Sequence, residues 1–205
     1  MSGGSAAPLR DVLVDHPRIL FVGINPSLTS GRVGHHFAGP GNPFWRLLRA
    51  AGIVPEALSH EEDARLAEFQ LALTNLCSRA TRSAAELGAE EMARGRRVLA
   101  RKIARLKPAV VAFVGLTLYQ RYFGLPQSGG AGPKEERISG ARVFVVPNPS
   151  GLNAAFPGFR HKLVWYERLR EFADAVASGA APARENSTEQ KIATASPEEG
   201  SPSDV

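Results

Sequence analysis

Three stretches of this 205-residue chain combine residue types that could handle a small polar molecule. They read Gly23-Ile-Asn-Pro-Ser-Leu28, then Gly34-His-His-Phe-Ala-Gly-Pro-Gly-Asn-Pro-Phe-Trp45, and finally Pro147-Asn-Pro-Ser-Gly-Leu152. Glycine and proline fix tight turns and let backbone amides approach a ligand closely, while Asn25 adds a neutral carboxamide. Such an amide can orient a water by hydrogen bonds, but it has no lone pair basic enough to remove a proton near pH 7. The chemistry on offer is therefore orientation and charge stabilisation around a planar polar ligand. The same composition also suits loops that only connect strands, so neither loop decides the matter alone.

Other chemistries find less support. His35 and His36 are adjacent, so they point apart on regular backbone, and no Asp, Glu or Cys accompanies them at ligand spacing; no metal or other cofactor is expected. Cys77 is the one cysteine and can form neither an internal disulfide nor a cluster site. A lyase would need an amine nucleophile in a motif, and Lys134 and Lys162 both lie outside one. Arg94, Arg97, Arg101 and Arg105 share one helical stripe opposite Val98, Leu99, Ile103 and Leu106, a pattern that fits a solvated face better than a phosphate track.

The elements that must position these loops follow from apolar patterning. Arg18 to Ile24, Ala109 to Val114 and Arg142 to Val146 are short apolar runs of the kind found in strands buried on both faces, and Leu71 to Thr74 is a shorter candidate. Asn42-Pro43 predicts a helix over Phe44 to Ala51 that stops at Gly52. Ser59 with Glu62 and Ser83 with Glu86 have capping-box spacing and open two more helices. Glu90 to Lys107 carries acids first and bases last, as the helix dipole favours, and Arg160 to Ala177 closes the series. Strands alternating with helices predict a three-layer α/β/α domain with a mostly parallel sheet, whose ligands bind beyond the carboxyl ends of the strands. The loops to inspect are those after Ile24, Thr74, Val114 and Val146, and all three stretches fall in the first and last of these. Trp45, Trp165 and Tyr166 are expected in the core.

Composition sets the frame. Hydrophobic residues are 43% and charged residues 22%, as in a globular domain, and no run of about 18 apolar residues exists to cross a bilayer. Met1 to Pro8 lack the pattern of a secretory signal, so a cytoplasmic location is expected. Residues 1–17 read as an N-terminal extension, 18–177 as the folded domain, and 178–205 as a disordered tail with two basic and five acidic residues. The whole chain carries +5 and has a pI near 9.8. With the tail set aside, the net rises to +8, which suits a polyanionic partner.

The motif residues of these loops resemble the mismatch-specific uracil-DNA glycosylases, the family that also contains thymine-DNA glycosylase. The resemblance runs from about Ile19 to Phe172 and has two separate motifs in the right order. It implies the uracil-DNA glycosylase-like fold and a monofunctional enzyme. Such an enzyme flips uracil, or a related pyrimidine such as ethenocytosine, out of double-stranded DNA, preferably opposite guanine. It then hydrolyses the N-glycosidic bond and leaves an abasic site for base excision repair. Flipping is required because the glycosidic carbon is inaccessible within the stack, and it costs least at a mismatch.

Residue by residue, the resemblance gives Asn25 the attacking water and places Thr74 near it as a second candidate catalytic residue. Gly23, Ile24, Pro26, Ser27, Phe37 and Asn148 form the base pocket, with Phe37 stacking on the flipped base. Leu152 matches the wedge that fills the vacated space, and Ser150, Gly151 and Asn153 accompany it at the partner strand. His35, His36, Arg160 and Lys162 are candidate phosphate contacts. Ser27 stands where the best-known members have glycine, which places a hydroxymethyl group against a thymine methyl and favours uracil. The chain also lacks the arginine that some members carry after the wedge. A monomer is expected. Two other readings stay open at this stage: a non-catalytic mismatch or abasic-site binder, and a nucleoside N-ribosyl hydrolase. The missing acidic cluster argues against the second.

Overall fold

The computed structural model describes residues 9–126, 129–150 and 156–180. Four apolar runs become the strands β1 (Ile19–Gly23), β2 (Leu71–Asn75), β3 (Val110–Val114) and β5 (Ala141–Val146), with β4 (Gly132–Ile138) completing one sheet in the order β2-β1-β3-β5-β4. The first four are mutually parallel, and β4 pairs antiparallel to β5. Every residue of β1 and β3 is buried, as expected for parallel strands covered on both faces. The period of two splits their side chains: Ile19 and Phe21 join one core layer, Leu20 and Val22 the other.

On the first layer lie α2 (Phe44–Ala50) and α5 (Phe159–Ala177). Phe44 stacks under Phe37 at 3.8 Å between ring centroids and meets Phe21 and Tyr166 edge-on. Trp45, Trp165 and Tyr166 are buried, as expected. On the second layer α3 (Ala89–Leu106) turns Met92, Gly95, Leu99, Ile103 and Leu106 inward, which leaves the arginine stripe in solvent. A Cβ on Gly95 would stand within contact-violating distance of the Leu76 carbonyl oxygen, at 2.3 Å. Glycine is what lets α3 lie against the backbone that follows β2. Among the described residues no helix is long and apolar enough to cross a membrane.

Several elements differ from the sequence reading. Both capping boxes form, yet they open 3-10 helices, His60–Phe69 and the three-residue Ala84–Glu86. Two helices were not expected, α1 (Leu28–Val33) and α4 (Leu116–Phe123), nor was β4. The stretch before β1 packs onto the sheet: Val12 and Leu73 exchange backbone hydrogen bonds at 3.0 and 2.8 Å. Asp11 pairs with Lys102 of α3 at 2.5 Å.

Candidate functional site

A cavity of about 850 Å³ opens at the carboxyl ends of β1, β2, β3 and β5. The loop after β1 is stitched to the loop after β2 by backbone bonds from Leu76, Cys77 and Thr81 N–H to the carbonyls of Gly23, Ile24 and Pro26, at 2.8, 2.9 and 3.2 Å. Asn25 therefore sits on a fixed backbone. Its Nδ2 donates to Thr81 Oγ1 at 2.7 Å and to Arg79 O at 2.9 Å, with Pro26 O at 3.1 Å. Two of these acceptors are carbonyls, which cannot donate, and the Thr81 hydroxyl gives its proton to Ser83 O at 2.8 Å. The amide thus has one allowed orientation. Its nitrogen is spent on the protein, and Oδ1 is the acceptor left on a side chain that lines the cavity.

Gly23, Ile24, Asn25, Pro26, Ser27, Phe37, Asn148 and Ser150 all line this one cavity. Phe37 is half-buried and adopts φ +52°, a left-handed conformation rare for an aromatic residue. One ring face stacks on Phe44, and the remaining ring surface borders the cavity. The Ser27 hydroxyl caps α1 by accepting from Ser30 N at 3.1 Å and donates to Ser30 Oγ at 3.2 Å. Asn75 and Thr81 line the cavity as well, and sequence reasoning missed both. A Cβ on Gly23 would lie 2.4 Å from Asn75 Oδ1 and 3.8 Å from Phe37 Cζ, so glycine makes room for both side chains.

Other expected site residues are placed elsewhere. Thr74 is 1% exposed, on the strand face opposite Asn75. Its hydroxyl donates to Asp11 Oδ1 at 2.8 Å and accepts from Lys102 Nζ at 3.0 Å, so it does not reach the cavity. Thr81 is the threonine beside Asn25. The strand alternation was the available signal, because only one of Thr74 and Asn75 can face the site.

His36 is 2% exposed and anchors the Phe37 loop. Its Nε2 donates to Arg10 O at 3.0 Å, and its backbone N–H meets Asp63 Oδ2 at 2.9 Å. Burial lowers its pKa, which keeps it neutral. His35 pairs through Nδ1 with Asp63 Oδ1 at 3.2 Å. These histidines fix a loop, and His36 is too deep to meet a phosphate. Lys162 is likewise 3% exposed, which removes it as a phosphate contact; burial lowers its pKa too. Arg160 stays exposed. Arg82, exposed at the cavity rim, is a cation that sequence reading passed over. Gly151, Leu152 and Asn153 lie outside the described residues.

A mostly parallel sheet presents neutral amides and an aromatic face in one cavity, an arrangement with room for a planar polar ring. Comparison with known proteins agrees. The model of the uracil DNA glycosylase superfamily matches residues 11–170, and the chain belongs to that superfamily. It is thereby a DNA glycosylase by class, a hydrolase whose partner is DNA. The fold is similar to the solution NMR structure of a "putative Uracil DNA glycosylase" from Methanosarcina acetivorans. The two are 20% identical, with a TM-score of 0.52 over 80% of this chain and 98% of that one.

Proposed function

We propose that this chain is a monofunctional glycosylase that removes uracil, and related pyrimidines of similar size at C5, flipped from duplex DNA opposite guanine. The observation that carries the reading is the fixed Asn25 amide, which has its nitrogen committed to Arg79 O and Thr81 Oγ1 and its oxygen left for a ligand. A water donating to Oδ1 is held and oriented, and the amide cannot deprotonate it. Hydrolysis then proceeds by bond breakage ahead of attack, with positive charge on the sugar and negative charge on the departing base. Stabilising that anion is work for hydrogen-bond donors around the base, as in an oxyanion hole. Phe37 offers its ring surface to the flipped base.

Preference for a G·U pair follows from the lower cost of opening a mismatch. Preference for uracil over thymine is supported by Ser27, whose hydroxyl is tied to Ser30 and so holds its methylene in the cavity wall. The test is single-turnover release of uracil from a G·U duplex, beside A·U, G·T and single strands, by the wild type and Asn25→Ala. The expected loss in the variant is about 100-fold, the usual worth of one positioning group. Tight binding without release would replace the enzyme by a non-catalytic reader of mismatches.

A further inference from the structure

Two side chains of α5, one helical turn apart, hold the backbone of the loop after β5. Tyr166 is wholly buried and donates its hydroxyl to Pro147 O at 3.4 Å. Lys162 donates from Nζ to Pro149 O and to Ser150 O, both at 3.1 Å. An ammonium that is 3% exposed is costly, and among the described residues no carboxylate pairs with it. Among the described residues, only the loop carbonyls compensate it. An apolar side chain would fill this space without that cost, so the lysine calls for an explanation other than packing.

The explanation lies in one peptide plane. Pro149 C=O and Ser150 N–H belong to the same rigid trans unit and point in opposite directions. Lys162 draws the carbonyl end toward α5. The N–H end consequently faces the other way, where it donates to Asn148 Oδ1 at 2.9 Å. A backbone N–H can only donate, so this contact decides which end of the Asn148 amide faces the loop. Asn148 itself stands in the cavity wall against Gly115, where a Cβ would lie 3.6 Å from Asn148 Cβ and 3.9 Å from its Nδ2.

We propose that Lys162 is a positioning residue that sets the orientation of the Asn148 amide in the cavity, acting through the Pro149–Ser150 peptide plane. The inference rests on reading the cavity as the site of glycosidic cleavage. Three enzymes are compared with the wild type in single-turnover uracil release from G·U duplex: Lys162→Met, Asn148→Ala and the double variant. At saturating enzyme, Lys162→Met is expected to lower the rate about 10-fold while the half-saturating concentration moves less than about 2-fold. The double variant should be within about 2-fold of Asn148→Ala, because the lysine acts through that amide. Losses that multiply would overturn the inference. So would a preserved saturating rate with weakened binding and a shallower salt dependence, the mark of a phosphate contact.

If circular dichroism shows Lys162→Met to be unfolded, Ser150→Pro carries the test. It removes the donor N–H and leaves the lysine in place, so it should reproduce the loss, and wild-type activity would refute the idea. The side-chain amide pair of Asn148 in a nitrogen-15 correlation spectrum of DNA-free protein gives a separate readout. Its resonances should move in Lys162→Met, and unmoved resonances overturn the inference. A wild type that releases no uracil counts against the proposed function instead, and the resonances still decide the role of Lys162.

Discussion

Replacing Thr81 by valine isolates the hydrogen bond that aims the Asn25 amide. The nitrogen carries two hydrogens and has three acceptors in reach, of which Thr81 Oγ1 at 2.7 Å is the nearest. Valine has nearly the same shape and removes that acceptor. Arg79 O and Pro26 O remain, so both hydrogens can still be satisfied, and a flipped amide would still set Oδ1 against two carbonyl oxygens. The loss is thus one neutral hydrogen bond in a part-buried site, about 0.5 to 1.5 kcal/mol. If that whole loss appears in the transition state, the rate falls by about 2- to 12-fold. The assay is single-turnover uracil release from a G·U duplex with enzyme in excess, with thermal unfolding measured in parallel because Ser83 O also loses its donor. A rate equal to wild type would mean that Thr81 does not aim Asn25. A loss as large as that of Asn25→Ala would mean that the two carbonyls hold nothing on their own.

Gly23→Ala should push the Asn75 amide out of place, since the added carbon would lie 2.4 Å from its Oδ1; the expected outcome is reduced uracil release with little change in unfolding midpoint. Gly95→Ala sets a methyl against the Leu76 carbonyl at 2.3 Å, and its overpacking cost of about 1 to 3 kcal/mol outweighs the roughly 1 kcal/mol gained in helix propensity, so urea denaturation should show a net loss. Burial depresses the pKa of His36 below its ordinary 6.5, so the unfolded chain binds the proton first as pH falls. His36 therefore costs nothing above about pH 6.5, and stability drains away below it. His36→Gln should flatten the dependence of the denaturation midpoint on pH below about 6.5.

Much of the frame was legible because parallel strands buried on both faces must be apolar throughout. Leu20 to Val22 and Val110 to Val114 could hardly be anything else. The edge strand β4 was hidden because Gly-Pro-Lys-Glu-Glu-Arg-Ile has the charge of an exposed edge, which keeps such an edge from pairing with other chains. Helix α1, Leu-Thr-Ser-Gly-Arg-Val, is too short and glycine-containing to announce itself, and α4 follows Gly115 with no side-chain cap. At the site, Asn25, Phe37 and Asn148 were legible from their loops. Thr81 and Thr74 were not separable by residue type, because a hydroxyl becomes a site residue or a structural one only through its partners. Asp11 and Lys102 claim one, Asn25 the other. The same holds for Lys162, which the spacing of α5 alone could not distinguish from a surface base.

The sheet order has a consequence for how the molecule assembles. Among the parallel strands, neighbours in space are distant in sequence: Ile19 pairs with Leu71 on one side and with Val110 on the other, and Val110 pairs in turn with Arg142. Each of these parallel pairings must close a long loop before any contact rewards it, which slows the search and favours late cooperative closure. The cavity draws on all four parallel strands, so no fragment of the chain contains it and no early intermediate can display it. Ligand binding during refolding would therefore report completion of the sheet itself. A chain lacking β5 has Asn25 and Phe37 in its sequence yet lacks the wall from Val145 to Asn148 that closes their cavity.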